Sequence, residues 1–136
     1  KKLLEKHTLE AVVSMPDDLF HNSKVGVITV VVVIKAHSPH PKKKKTWLAY
    51  WKNDGFVKTK NRGRVDLNNT WDSIRTQWIN SYLNKEEIDG FSLLKELTPD
   101  DEWCVEAYLE TDYSKITQDV FLNEMKKYLA YKITTD

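Results

Sequence analysis

The amino-acid sequence predicts an α/β fold, with strands of a sheet first, then a β-hairpin extension and a helical C-terminal tail. Three observations support this prediction. Apolar runs rich in β-branched residues lie near the start of the chain, as strands require. Asn, Asp and Gly separate two aromatic-rich runs further on, which indicates a hairpin. The second half carries apolar residues at helical spacing, and the 136 residues suffice for one domain.

The first elements are a short helix and two strands. Residues 2–7 have the pattern of a helix end, and residues 9–15 form a short apolar strand that Pro16 stops. No residue caps the first helix, so we expect the chain to be a piece of a longer protein. Residues 27–35 give the strongest strand pattern. Because this run is apolar on both faces, it predicts a central strand of a covered sheet.

A hairpin and three helices are expected to follow, with no second strand-rich region. Residues 46–51 and 55–60 are predicted to pair across the turn. Asn68 or Asn69 can cap the next helix, Thr98 suits a helix start, and Thr117 can cap the last helix. The apolar faces are Trp71, Ile74, Trp78 and Tyr82 in the first of these helices, and Phe121, Met125, Tyr128 and Leu129 in the last.

The formal net charge of +1 hides two segments of opposite charge. Residues 42–64 hold nine basic residues and one acid, a net charge of +8. Residues 85–124 hold twelve acids and three lysines, a net charge of −9. Aromatic residues are interleaved with the basic ones, a combination that suits phosphate contact and stacking on bases. The alternative is a solvated loop and a hairpin whose aromatic side chains face the core. The interleaved rings are Trp47, Tyr50, Trp51 and Phe56.

Several classes of protein are excluded. The longest apolar run, residues 25–36, is shorter than the roughly 20 apolar residues of a membrane-spanning helix, so no membrane association is expected. The N-terminal residues do not form a signal peptide. The single cysteine, Cys104, fits a core position in a reducing compartment, which predicts a cytoplasmic protein. No G-x-G pair occurs, which excludes the dinucleotide-binding and P-loop fingerprints.

The sequence gives little support for a metal site or a catalytic group. Asp17 with Lys35 suggests a metal-dependent nuclease, but the second carboxylate such a site needs would stand where Val33 is. His37 and His40 have a ligand-like spacing, yet no further His or Cys lies nearby to complete a metal site. We therefore expect no metal site. Three acids at helical spacing indicate a solvent-exposed or protein-docking helix face rather than catalytic acids. They are Glu102, Glu106 and Glu110.

An ordered series of short motifs runs through nearly the whole chain. It begins with an apolar strand, a Pro and a Phe, and continues with a long strand that ends in Lys35. Aromatic, glycine and acidic motifs follow in a fixed order. In sequence, the series is residues 9–20 (Leu-Glu-Ala-Val-Val-Ser-Met-Pro-Asp-Asp-Leu-Phe), 26–29 (Gly-Val-Ile-Thr), 46–47 (Thr-Trp), 50–51 (Tyr-Trp), 54–56 (Asp-Gly-Phe), 63–66 (Gly-Arg-Val-Asp) and 101–104 (Asp-Glu-Trp-Cys).

This series resembles the adenine-specific N6 DNA methyltransferase family, above all the modification subunit of type I restriction–modification systems and related fused enzymes. The resemblance implies a parent enzyme that transfers a methyl group from S-adenosylmethionine to adenine in double-stranded DNA, in the bacterial cytoplasm. It also implies the last strands of a Rossmann-like methyltransferase sheet. Specificity and endonuclease subunits are the protein partners it suggests.

Two family motifs are missing from the chain. The Gly-containing donor loop is not present, and no two prolines are adjacent, so the Asn/Asp-Pro-Pro-aromatic motif is also missing. Both would lie upstream of Lys1. We therefore expect no catalytic residue and no bound cofactor in this part, and no methylation by it alone. The alternative is a non-catalytic module that docks a specificity or endonuclease subunit through acidic helices.

The resemblance also assigns parts and residues. Residues 1–41 would be the last strands of the catalytic fold, residues 42–67 a basic β-hairpin extension, and residues 68–136 an acidic helical tail. Phe20 occupies the place of an aromatic that stacks on the extruded target base; the alternative is that Phe20 packs under the sheet edge. The residues expected to contact the DNA backbone are Lys42, Lys43, Lys44, Lys45, Lys58, Lys60, Arg62 and Arg64.

Overall fold

The computed structural model describes residues 1–20, 27, 29–110 and 116–135. Within these ranges the chain forms three helices and six strands, with five of the strands between the first and second helices, and a short 3₁₀ turn lies before the last helix. The elements are α1 (Lys2–Lys6), β1 (Thr8–Ser14), β2 (Val30–Lys35), β3 (Lys45–Tyr50), β4 (Val57–Thr59), β5 (Gly63–Val65), α2 (Trp71–Asn84), β6 (Ser92–Glu96), the 3₁₀ turn (Val105–Ala107) and α3 (Gln118–Thr135).

Four of the strands form one mixed sheet in the order β2-β1-β3-β6. Strands β1 and β3 are parallel, whereas β2 and β6 pair antiparallel to them at the two sides. A register irregularity between Leu9 and Ala11 interrupts the pairing of β1 with β2. Strands β4 and β5 form a separate two-stranded sheet. The α/β class predicted from the sequence is confirmed.

The core lies on both faces of the β1–β3 pair. On one face Leu9, Val12 and Leu48 pack with residues that follow β6. On the other face Trp47 and the small side chains of β1 and β3 pack against α2. Both strands are buried over most of their length because each face has a cover.

Helix α2 forms where the sequence predicts it, and its predicted apolar residues face the sheet. Its N-terminus is held by Asp66, whose carboxylate accepts hydrogen bonds from the backbone N–H groups of Trp71 and Thr70 (2.9 Å each). These bonds lower the pKa of Asp66 below its usual value. The depressed pKa means that this stabilisation is present at neutral pH and is lost as the pH falls through that pKa. Asn68 and Asn69, the predicted caps, precede the helix without capping it.

Strand β2 forms within the residues predicted to be a strand, but its position in the sheet differs from the prediction. It lies at the edge of the sheet, and all its side chains are exposed except Val33, which is half-buried. The prediction of a central, covered strand was therefore wrong for this chain. The reason is that β1 is the only strand that pairs with β2 among the described residues, and α2 covers β1 and β3 instead.

The predicted pairing of residues 46–51 with 55–60 is also wrong. Residues 45–50 form β3, whose partners are β1 and β6 in the main sheet. A hairpin does form close by, but it joins β4 to β5, with Lys58 opposite Arg64. An apolar strand buries more surface between two strands than at the base of an exposed hairpin, which accounts for the difference.

The C-terminal half is less helical than predicted. Residues 92–96 form the edge strand β6, which the sequence pattern did not predict. The helix predicted from Thr98 is reduced to the 3₁₀ turn at Val105–Ala107. Helix α3 confirms the prediction of a last helix. Its predicted cap is also confirmed, because the Thr117 hydroxyl accepts a hydrogen bond from Val120 N–H.

None of the helices in the described ranges is both long enough and apolar enough to cross a membrane.

Gly55 is a point where the chain passes close to α2, and it has a positive φ of 82°. An added Cβ would lie 2.5 Å from Thr70 Oγ1 and 3.0 Å from Ile74 Cδ1. Gly90 also has a positive φ, of 70°, but a Cβ added there would meet nothing within 4 Å. The two glycines therefore share a backbone conformation and differ in the space around them.

We predict that Gly55→Ala destabilises the protein more than the matched control Gly90→Ala. Both variants incur the left-handed backbone cost of about 1–2 kcal/mol. Gly55→Ala adds an overpacking cost of about 1–3 kcal/mol. The free energy of unfolding in urea measures the difference, and equal losses for the two variants would contradict it.

Candidate nucleic-acid interface

The turn that carries Phe20 follows directly from β1. Pro16 is buried where the strand has ended, and its carbonyl accepts a hydrogen bond from Leu19 N–H (3.3 Å), which closes the turn. Phe20 is 44% exposed. Because β1 and β3 are parallel, this turn lies at the same end of the sheet as the segment leaving β3. Phe20 is therefore an exposed aromatic residue at the carboxyl end of the parallel pair.

The β4–β5 hairpin lies at that same end. It is short, and the Thr59 hydroxyl fixes its turn by donating to the Gly63 carbonyl (2.8 Å) and accepting from Arg62 N–H (3.2 Å). Lys60 and Arg62 are exposed at the tip. Within the described residues neither of them has an ion-pair partner. The tip is thus a small, uncompensated positive surface.

Arg64 contacts two carboxylates from different segments. Its guanidinium binds Asp54 with two hydrogen bonds, Nη1 to Oδ2 at 2.8 Å and Nη2 to Oδ1 at 2.7 Å. Nη2 also lies 3.0 Å from Asp18 Oδ1, in the turn that precedes Phe20. The hydrogen bond to Asp54 is the main cause that raises the pKa of Arg64. Arg64, expected to contact DNA, here joins the hairpin to the Phe20 turn.

Lys58 belongs to the same cluster. It stands opposite Arg64 in the hairpin, and its Nζ lies 3.6 Å from Asp18 Oδ2. Its side chain is about half exposed. Asp18 therefore carries two positive partners, and the positive charge at this end of the sheet is smaller than the count of basic residues suggests.

The aromatic residues interleaved with the basic segment pack internally. Trp47 is fully buried, and Trp51 stacks on Trp78 (4.5 Å between ring centroids) and on Trp71 (5.7 Å). Phe56 meets Trp71 edge-on at 5.6 Å. Trp47 therefore lies in the core, and Trp51 and Phe56 are half-buried against rings of α2. They anchor the hairpin on α2, because Phe56 leads directly into β4.

The lysine run of residues 42–45 lies at the opposite end of the sheet. It leads into β3, whose first residue is Lys45, and Lys44 Nζ lies 3.1 Å from Glu10 Oε2 near the start of β1. Strand β3 spans six residues, or about 17 Å at the usual rise per residue. Lys42, Lys43 and Lys45 are exposed. The basic segment is thus divided into two surfaces that face different ends of the sheet.

The histidines considered as metal ligands make backbone contacts instead. His40 Nδ1 accepts a hydrogen bond from Leu9 N–H (3.2 Å), and the His37 backbone N–H donates to His7 Nδ1 (3.1 Å). No cluster of three or more ligating side chains occurs in the part of the chain that the structure describes.

One of the three acids of the stripe expected from the sequence makes a hydrogen bond within the protein. Glu106 accepts a hydrogen bond from the buried Ser14 hydroxyl (2.6 Å). Ser14 ends β1, and Glu106 belongs to the 3₁₀ turn, so this bond ties the turn to the sheet. One member of the stripe is therefore engaged within the protein rather than offered to a partner.

The apolar cavity beside α2 does not suit S-adenosylmethionine. This cavity of about 240 Å³ lies between β2 and α2, lined by Val31, Val33, Trp51 and Ile79 among others, and its exposed surface is apolar. The donor carries a carboxylate, an ammonium group and ribose hydroxyls, which require polar partners when they are buried. The residues that line this cavity therefore do not fit the donor.

Asp18 and Asp54, the partners of Arg64, were missed by sequence reasoning. Asp54 sits in a turn signal, where its side chain also accepts a hydrogen bond from Phe56 N–H (3.0 Å). Asp18 is one of two adjacent acids after a proline, and nothing local distinguishes it from Asp17. A lone acid within a strongly basic segment was the one available signal for Asp54.

Comparison with known proteins places the chain in a family. One curated relative is the "Type II restriction enzyme and methyltransferase RM.BcgI" of Heyndrickxia coagulans, which is 29% identical over 134 residues. The match covers 97% of this chain but only 20% of the relative, so the chain spans about a fifth of that protein's length. No solved structure matches. The model of the family described as N-6 DNA Methylase matches residues 1–128, and the chain therefore belongs to the N-6 DNA methylase family.

Proposed function

We propose that the chain is the C-terminal part of an S-adenosylmethionine-dependent DNA adenine N6-methyltransferase of a restriction–modification system. Family membership supports the reaction class, and the relative is named as both a restriction enzyme and a methyltransferase. In this proposal the donor site and the motif that holds the target amino group belong to the rest of the parent. The chain contributes contacts to DNA and to the target base, and it is inactive alone.

The exposed edge of strand β2 supports the proposal that the sheet continues into the rest of the parent enzyme. Its second edge pairs with no strand in the described ranges, and Val30, Val32 and Ile34 are exposed on one of its faces. A free apolar edge promotes aggregation unless another strand covers it. We infer that residues 1–41 continue a Rossmann-like catalytic sheet of the parent, with β2 at the junction.

The observation that carries the proposal is the exposed Phe20 ring beside a basic hairpin. An adenine cannot be methylated at its amino group until it has left the duplex, and an extruded base needs a stacking face. Phe20 offers such a face, and Lys60 and Arg62 at the hairpin tip lie at the same end of the sheet. The tip would hold the flanking phosphates independently of sequence.

The lysines at the other end of the sheet would contact DNA separately. Lys42, Lys43 and Lys45 lie at the opposite end of β3 from the Phe20 turn. In the proposal they touch the duplex only where it extends past the sheet. Their contribution to affinity is therefore expected to be smaller than that of the hairpin tip.

A second candidate function is subunit docking, and helix α3 favours it. Every described side chain of α3 is exposed, including the predicted apolar stripe. The helix has two acids and three lysines, so its surface is not acidic as the docking alternative assumed. An amphipathic helix with a bare apolar face suits a helical partner surface. Docking of a specificity or endonuclease subunit would thus use Phe121, Leu122, Met125, Tyr128 and Leu129.

In the intact parent enzyme, Phe20→Ala is expected to weaken capture of the extruded base by about 1–3 kcal/mol, because the stacking face is lost. Fluorescence of 2-aminopurine at the target position and the methylation rate measure this effect. Phe20→Tyr keeps the ring and serves as the control. If Phe20→Ala lowers only the melting temperature and leaves extrusion unchanged, Phe20 packs against the protein and the proposal fails.

Two charge-matched double variants of the intact enzyme separate the basic surfaces. Lys60→Gln with Arg62→Gln is expected to reduce the slope of log affinity against log salt by up to about 1.8, since each phosphate contact contributes about 0.9. Lys42→Gln with Lys43→Gln should reduce the slope less. An unchanged slope in both variants would refute DNA contact by this part of the enzyme.

Subunit docking is tested by Met125→Asp in the intact enzyme. A carboxylate buried in an apolar interface is costly, so the affinity for the partner subunit should fall by about tenfold or more. Asn123→Asp adds the same charge on the opposite side of α3 and should have little effect. Sedimentation of the reconstituted complex gives the subunit composition, and two unaffected variants would argue against docking by α3.

A further inference from the structure

The guanidinium of Arg64, together with the longer contact from Lys58, holds together two segments that are far apart in sequence. The Asp54–Arg64 pair joins the two ends of the segment that contains the hairpin, with both side chains only 11% exposed. The Asp18–Arg64 contact, at 3.0 Å, is different because it crosses from the hairpin to the turn after β1. Charge-assisted bonds of this kind fix the orientation of both partners.

Phe20 is close to this contact along the chain. It follows Asp18 by two residues, so at most about 7 Å separates their Cα atoms. The Leu19–Pro16 hydrogen bond further limits the turn between them. A displacement of Asp18 must therefore displace Phe20. On the other side, the ring of Phe56 anchors the hairpin to α2 through Trp71.

We propose that Asp18 and Arg64 form a positioning pair, which holds the Phe20 turn against the hairpin so that the ring is presented to the extruded base. This inference rests on the proposed role of Phe20. In this arrangement Arg64 acts through Phe20 and does not itself bind a phosphate. Of the basic residues of the hairpin, Lys60 and Arg62 are left to bind the DNA backbone.

Asp18 is a cleaner test of the pair than Arg64. Removal of Arg64 would leave Asp54 buried without its partner, which destabilises the hairpin itself. Asp18→Asn leaves the two bonds between Arg64 and Asp54 in place. Asp17 is a matched control because it is adjacent, exposed and without an ion pair among the described residues. Asp17→Asn makes the same change in net charge.

The experiment uses the intact parent enzyme and a duplex with 2-aminopurine at the target adenine. Asp18→Asn is expected to lower the extrusion equilibrium by about twofold to fivefold, whereas Asp17→Asn leaves it unchanged. The affinity for DNA should not fall, because removal of a carboxylate beside DNA lessens repulsion. Asp18→Glu, which keeps the charge, should extrude the base better than Asp18→Asn.

The outcomes separate this inference from the function on which it rests. If Asp18→Asn matches Asp17→Asn while Phe20→Ala impairs extrusion, the positioning role is overturned and the role of Phe20 stands. Equal losses in Asp18→Asn and Asp18→Glu would also overturn it, because the carboxylate would then not matter. If Phe20→Ala has no effect on extrusion, the proposed function itself fails.

Discussion

The parallel pairing of β1 with β3 is the constraint on which the rest of the structure depends. Ala11, Val12, Val13 and Ser14 pair with residues 47–50, and the two strands are buried on both faces. Parallel pairing sends the chain out of both strands at the same end of the sheet. The Phe20 turn and the hairpin are neighbours for this reason, and the lysine run before β3 is remote from both.

The aromatic cluster under α2 extends that constraint to the hairpin. Trp78 is nearly buried and stacks on Trp51, which follows β3 directly, while Trp71 at the start of α2 contacts Phe56. Gly55 permits the close approach of the chain to α2, because any Cβ there would collide with Thr70. The hairpin is thus held against α2 by ring packing, and Arg64 holds the Phe20 turn against the hairpin.

Local patterns were sufficient to predict some elements, and non-local pairing was needed for the others. Helix α2 and the capped start of α3 follow from side-chain spacing and a nearby hydroxyl, which are properties of neighbouring residues. Strand β3 was assigned to the wrong partner because an apolar strand pairs equally well, on local grounds, with any edge. The base-stacking role of Phe20 is predicted from the resemblance to the family. The carboxylates of Asp18 and Asp54, by contrast, reach Arg64 only through the fold.

Contacts made only through the fold also explain why the charge counted along the sequence overstates the basic surface. Lys44, Lys58 and Arg64 each have a carboxylate partner in the structure. The remaining members of the predicted DNA-contact set are divided between two ends of the sheet. A phosphate responds to charges within about a Debye length, roughly 8–10 Å in physiological salt, so the two ends do not add into one field. In the proposed function, the hairpin tip therefore acts on DNA as a local two-charge contact at the same end of the sheet as Phe20. Its strength depends on where the fold places that contact rather than on the composition of the segment.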